Sequence, residues 1–204
     1  MKKYFQKNKG FTIIETMIAV SLFLVVVTLG LGTLLNANLL HKKSDNMRSI
    51  MDGLSFVVDD ISTNLRTGYH YHCFVTGDII PAVSSPTVST PKSCASGWGI
   101  AFEPANGVQS NNDDQWVYYI NAGKMFKATQ GPYSATNFVQ MTPNEVVIDS
   151  NSSFAVLGAD PPSAASNDKN QPLVFIRIIG KIVTNNVTTP FSLQTSVSQR
   201  LLDI

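Results

Sequence analysis

The chain has 204 residues, 14% of them charged, and a formal net charge of +1 from 15 basic and 14 acidic residues. That length suits one domain with an appended element, and the near-even charge argues against a general nucleic-acid binder, which would read as basic. With 44% hydrophobic residues the chain is not disordered throughout, yet its charged fraction is far below the rough quarter of a soluble domain, so the deficit must have a location.

The first ten residues hold Lys2, Lys3, Lys7 and Lys9 and no acid. From Thr16 to Leu40 there is no charged residue. A helix that crosses a bilayer needs about 20 predominantly apolar residues, and this is the one stretch that supplies them, which excludes a polytopic membrane protein. The flanking lysines place the N-terminus in the cytoplasm and the remainder outside. A cleaved secretory signal would have an apolar region of only about 7–15 residues ending at small residues; this run is longer, and Asn36-Ala37-Asn38 is a poor cleavage site. A plain uncleaved anchor is the stronger alternative, but it leaves Glu15 unexplained. An acid in a spanning helix costs roughly 2.5–3.5 kcal/mol at the centre and less near the interface, so Glu15 calls for a partner.

The stretch Lys9-Gly10-Phe11-Thr12-Ile13-Ile14-Glu15-Thr16-Met17-Ile18-Ala19-Val20 resembles the prepilin peptidase site of the type IV pilin and pseudopilin family. The shared features are a short basic leader ending in Gly, then Phe-Thr-Leu-Ile-Glu opening a hydrophobic helix; Ile13 stands where Leu is commonest. The resemblance implies cleavage between Gly10 and Phe11 and N-methylation of Phe11. It also implies that Glu15 pairs with the N-terminal amine of a neighbouring subunit during filament assembly. In a low-dielectric bundle such a pair favours one register strongly. Many family members carry a helix-kinking proline further along, where this chain has Gly30 and Gly32, which weaken a helix more gently.

After His41-Lys42-Lys43, apolar residues recur at Met47, Ile50, Leu54, Val57, Ile61 and Leu65. These spacings of three and four make one amphipathic helical face, and Thr67-Gly68 is a plausible stop. One helix from Phe11 to Arg66 would be about 84 Å long at 1.5 Å per residue. The alternative is a separate amphipathic helix after a short break, since Gly53 and the Asn36–Asn38 region lower continuity. The organisation expected is a leader over 1–10, a transmembrane or filament-core helix over 11–40, an amphipathic continuation over 41–68 and an extracytoplasmic sheet domain over 69–204.

Beyond Gly68 the apolar period becomes two. Strands are predicted over Trp98 to Phe102, Gln115 to Asn121, Lys124 to Ala128, Phe138 to Met141, Glu145 to Asp149, Phe154 to Leu157, Leu173 to Val183 and Pro190 to Val197. Asn121-Ala122-Gly123 is the loop of a hairpin, and polar loops cover Pro81 to Ser96, Ala105 to Asp114 and Asp160 to Gln171. The fold class expected is α+β, with a pilin-like antiparallel sheet packed on the second half of the long helix. The segment Asp59 to Gly68 is similar to the helix end of larger minor pseudopilins, and Phe191 to Arg200 is compatible with the final strand of that group.

Cys73 and Cys94 are the only cysteines, and both fall in the part placed outside. An oxidising compartment favours a disulfide, with two buried thiols as the alternative. His70-Tyr71-His72-Cys73 offers imidazole and thiolate, but its spacing matches no standard zinc site and a fourth ligand is not evident; a strand leading to a disulfide is the plainer reading. Asn111-Asn112-Asp113-Asp114 could give calcium two carboxylates, Asp113 and Asp114, as some pseudopilin loops do, though it lacks the glycine and distal Glu of an EF-hand. No other metal and no cofactor is expected. Asn151-Ser152-Ser153 and Asn186-Val187-Thr188 match the glycosylation sequon, a short pattern expected by chance. No nucleophile elbow, phosphate loop or His-Glu-x-x-His is present.

The reading is therefore a structural subunit, not an enzyme, in the bacterial inner membrane with its N-terminus cytoplasmic and then in a filament. The resemblance implies as partners a prepilin peptidase, other pilin or pseudopilin subunits, an assembly platform and the bilayer, in a type IV pilus or a type II secretion pseudopilus, with a minor subunit favoured. The alternative is a tethered extracellular module whose sheet domain captures a surface, a secreted substrate or DNA. No basic cluster follows Lys42-Lys43, so nucleic acid is not an expected partner. Loss of the leader would leave eleven basic and fourteen acidic residues and turn +1 into −3.

Overall fold

The structure, a computed structural model, describes residues 10–78, 90–131, 133, 137–160, 170–184 and 187–200. The leader lysines, most of the predicted loops over Pro81 to Ser96 and Asp160 to Gln171, and Asn186 lie outside the described residues. The chain divides into two compact units, Met1–Arg48 and Ser49–Ile204. One helix, α1 (Ile13–Thr67), contributes to both.

In the first unit the helix starts at Thr12, whose carbonyl accepts from the Glu15 and Thr16 amides at 3.1 and 3.2 Å. Gly30 and Gly32 remain helical. Every large apolar side chain from Ile13 to Leu40 is exposed or half-buried, none buried, and the charge-free stretch is long and apolar enough to cross a membrane. The hydroxyls in this stretch are already used. Thr16, Ser21 and Thr33 each donate to the carbonyl three residues back at 2.8 Å, and Thr28 donates to Leu24 and Val25 at 2.9 Å. In hydrocarbon, where no water can satisfy a hydroxyl, that arrangement removes most of the cost of carrying one.

In the second unit the predicted stripe is the buried face of α1: Leu54, Val57, Ile61 and Leu65 are all at most 4% exposed. The helix ends at the predicted glycine, with the Gly68 amide donating to Asn64 and Leu65. Tyr71, itself buried, donates its hydroxyl to the Leu65 and Gly68 carbonyls, satisfying groups that a helix end leaves unpaired.

Ten strands are described: β1 (Tyr69–Phe74), β2 (Cys94–Gly97), β3 (Gly99–Glu103), β4 (Trp116–Asn121), β5 (Lys124–Ala128), β6 (Val139–Gln140), β7 (Val146–Ile148), β8 (Ser153–Leu157), β9 (Leu173–Thr184) and β10 (Val187–Ser198). They form two antiparallel sheets, ordered β1-β3-β4-β5-β6 and β10-β9-β8-β2, with β7 also on β9. The predicted strands are present with ends shifted by a few residues. Two differences stand out: Cys94–Gly97, predicted as loop, is the edge strand β2, and the strands sort into two sheets rather than one. The hairpin β4–β5 turns through Ala122 and Gly123, with φ of 48° and 75°. This left-handed pair makes the tight two-residue turn whose twist matches antiparallel strands.

β10 is a sheet edge, and its parity explains why Pro190 is tolerated there. The Asp149 amide donates to the Ile179 carbonyl and the Val183 amide to the Glu145 carbonyl, so odd-numbered residues of β9 bond away from β10. Even-numbered ones then bond to β10, and the register Gly180↔Phe191 assigns the inward role to odd residues of β10. Pro190 lies on the outward parity, where a missing N–H breaks no ladder bond. At the end of the same edge the Arg200 amide donates to the Arg66 carbonyl of α1 at 2.8 Å.

Candidate functional site

Two places carry the chemistry singled out in the sequence. The first is the start of α1. Gly10 and Phe11 precede the helix as exposed residues, and nothing crowds Gly10 within 4 Å of where a side chain would begin. A protease that must align this backbone meets no obstruction. Thr12 is the helix N-cap, and its hydroxyl oxygen lies 3.4 Å from the Glu15 amide. Thr12 and Glu15 thus stand in the three-residue spacing of a capping pair, with the acid in the first turn where the helix dipole favours negative charge. Glu15 is exposed and no cationic partner is described for it within the chain.

The second place is the sheet domain, where Cys73 and the loop that follows Glu103 lie toward opposite ends of the β1–β3 pair. Cys73 of β1 and Cys94 of β2 form a disulfide with their Cα atoms 5.9 Å apart, so the bond ties one sheet to the other. Gly97 sits against both sulfurs; a Cβ there would overlap Cys73 Sγ and the Phe74 carbonyl. The neighbouring histidines turn to separate partners. The ladder is irregular between Tyr69 and His72, which puts His70 at a φ of 55°. His70 Nδ1 meets the Gln109 amide at 3.2 Å, whereas His72 Nδ1 meets the Thr90 carbonyl at 2.8 Å. With Cys73 already bonded to sulfur, His70-Tyr71-His72-Cys73 does not present a zinc ligand set.

Asp113 and Asp114 likewise diverge. The Asp113 carboxylate packs against Gly131, whose backbone N–H donates to the Asp113 carbonyl at 2.7 Å. Asp114 Oδ2 accepts from the Val108 amide at 2.9 Å. Among the described residues no group of three or more His, Cys, Asp or Glu side chains is placed to hold a metal ion. The calcium expectation for this pair therefore gains no converging ligand set.

Asp114 instead turns toward Glu103, a residue the sequence reading passed over. Glu103 closes β3 and is 1% exposed, and Gln115 beside it is fully buried. Gln115 Nε2 donates to Glu103 Oε1 at 2.8 Å, and Tyr133 donates to the Gln115 carbonyl at 2.7 Å. Burial pushes the Glu103 carboxyl above the usual range; the Gln115 hydrogen bond pulls it down and Asp114 pushes it up again. Only one sequence feature could have flagged it, a lone acid ending the apolar run Gly99-Ile100-Ala101-Phe102. Outside this cluster a cavity of about 480 Å³ opens between the end of α1 and the β3–β4 loop. Asn64, Thr67, Trp116 and Gln130 line it together with Asp113 and Asp114.

Comparison with protein families matches residues 5–31 to the prokaryotic N-terminal methylation motif, the signature of type IV pilins and pseudopilins. Comparison with curated proteins and with solved structures gives no match. The chain thus carries a pilin-type N-terminus on a membrane-capable helix, followed by an antiparallel sheet domain.

Proposed function

We propose that this chain is made as a precursor, cut between Gly10 and Phe11 by a prepilin peptidase, N-methylated on Phe11, and assembled as a minor subunit of a type IV pilus or type II secretion pseudopilus. The observation that carries this reading is the coincidence of the methylation motif at residues 5–31 with the start of a helix whose large apolar side chains from Ile13 to Leu40 are exposed or half-buried. Before assembly those side chains belong in the inner membrane, and the leader lysines favour a cytoplasmic N-terminus. Afterwards they belong against the helices of other subunits, where burying each large apolar side chain is worth roughly 1.5–3 kcal/mol relative to water. The role is one of packing rather than catalysis.

Within that reading Glu15 accepts the cationic N-terminal amine of a neighbouring subunit. Its carboxylate is exposed in the first helical turn, where it can meet a partner's amine and set register. Glu15→Ala is expected to leave leader cleavage intact and to reduce incorporation into filaments by tenfold or more, about 1.4 kcal/mol. Sheared filaments probed for the variant check this; incorporation equal to the parent would remove the pairing role. A second reading, a tethered module that captures a ligand outside the cell, draws on the polar cavity beside Trp116 and is compatible with assembly.

A further inference from the structure

Glu103 is an acid sealed inside the sheet domain, and among the described residues no basic side chain pairs with it. Its Oε1 has a donor in Gln115 Nε2. Its Oε2 has none and is fully enclosed, lying so close to Gly107 that a Cβ there would come within 2.6 Å. Asp114 repeats the pattern. Its Oδ2 takes the Val108 amide, whereas Oδ1 is enclosed without a donor. The two side chains are within hydrogen-bonding reach of each other. Among the described residues, the titratable groups facing this pair are Tyr69 from β1 and Tyr133 from the segment after β5, and neither is a cation. Tyr69 spends its proton on the Gly107 carbonyl and Tyr133 on the carbonyls of Asn112 and Gln115.

Two carboxylates within hydrogen-bonding reach, each with an enclosed oxygen that has no donor, disfavour the doubly anionic state, because their repulsion adds to the desolvation of the buried Glu103. One proton between them resolves both problems: it removes a charge and supplies the missing donor. Glu103, the more deeply buried, is the group on which that proton belongs.

We propose that Glu103 is protonated in the folded protein and donates through Oε2 to Asp114 Oδ1, so that an acid–carboxylate hydrogen bond latches the β3–β4 loop shut and opens as pH rises. Asp114 carries the Val108 amide with it, so the latch holds both strands of the loop that walls the 480 Å³ cavity. Loss of the proton restores a buried charge on Glu103 beside the Asp114 carboxylate, and the loop must open to hydrate it. The sign follows from linkage. The Glu103 carboxyl is raised on folding, so its contribution is present in acid and is lost as pH rises through its folded value. This latch does not depend on the filament reading.

Infrared spectra of the full chain in detergent micelles at neutral pH test it, taken for the wild type and for Glu103→Gln. The difference between the two cancels every other carboxyl group, Glu15 included. The expected result is a protonated-carboxyl band in the wild type that Glu103→Gln lacks. Gln also offers an N–H to Asp114 without titrating. The wild-type thermal midpoint should therefore fall by at least about 2 °C more than that of the variant between about pH 5 and about pH 8. A variant too unstable to purify leaves the wild-type spectrum decisive: titration of the band with pH should track the fall in midpoint. Absence of a protonated carboxyl at neutral pH would overturn the proposal. So would recovery of the wild-type midpoint at about pH 8 by millimolar calcium, since a cation would then be the bridge.

Discussion

Lys127 of β5 places its ammonium 2.9 Å from Asp60 Oδ2 of α1, and the same carboxylate accepts from the Tyr118 hydroxyl at 3.1 Å. Asn64, one turn further along the helix, donates to that hydroxyl at 3.0 Å. The ammonium also lies 4.5 Å from the centre of the Trp116 ring. Four polar groups thus fasten the C-terminal part of the helix to the first sheet, beside an apolar face that alone would fix orientation less sharply. The pair is about three-quarters buried, so solvent screens it only in part.

Lys127→Met should lower the stability of the sheet domain by about 1 kcal/mol, and Asp60→Asn by a similar amount. The double variant should lose roughly 0.5–1 kcal/mol less than the sum, since each single change already breaks the shared contact. Urea unfolding of the four proteins measures the coupling, which should shrink in molar salt. Strict additivity would show that the apolar stripe does the fastening alone.

The β4–β5 turn carries a cost at Ala122. Its φ of 48° is a left-handed conformation that a Cβ disfavours, unlike Gly123 beside it. Ala122→Gly is expected to raise stability by about 0.5–1 kcal/mol, because relief of that strain outweighs the extra freedom of an unfolded glycine. Gly123→Ala should destabilise. Denaturant midpoints check both, and a loss of stability in Ala122→Gly would contradict the turn assignment.

The Cys73–Cys94 bond spans a separation of 21 residues and joins β1 to β2. Closing a loop of that size restricts the unfolded chain, worth roughly 3 kcal/mol. Replacing both cysteines with serine should lower the unfolding free energy by about that amount and release β2 first, because β2 is a short edge strand with an irregular ladder to β8. Equal hydrogen exchange at β2 and β4 in the serine variant would show that the strand is held by its ladder.

The elements that could be read in the sequence are those whose burial pattern is regular. The α1 stripe keeps its three-and-four spacing through Leu54, Val57, Ile61 and Leu65, and β9 alternates along Val174, Ile176, Ile178, Gly180 and Ile182. β2 was illegible for the opposite reason. Cys94-Ala95-Ser96-Gly97 has no apolar alternation, and its strand geometry depends on a disulfide and on contacts distant in sequence. Division into two sheets was hidden as well, since pairings such as β2 with β8 leave no local trace. Of the candidate site residues, Gly10, Phe11 and Glu15 stand in a motif of fixed spacing, which is what makes them visible in a sequence. Glu103 was missed because a single buried acid has no spacing to betray it.

The central claim is that the mature chain begins at Phe11, and mass spectrometry of the intact protein purified from membranes beside an active prepilin peptidase tests it most directly. The account predicts a chain of 194 residues, lacking the ten-residue leader of the 204-residue precursor, with one added methyl group on the Phe11 amine. The same preparation from cells without the peptidase should keep the leader. A protein that retains Met1 in the presence of the peptidase would contradict the account.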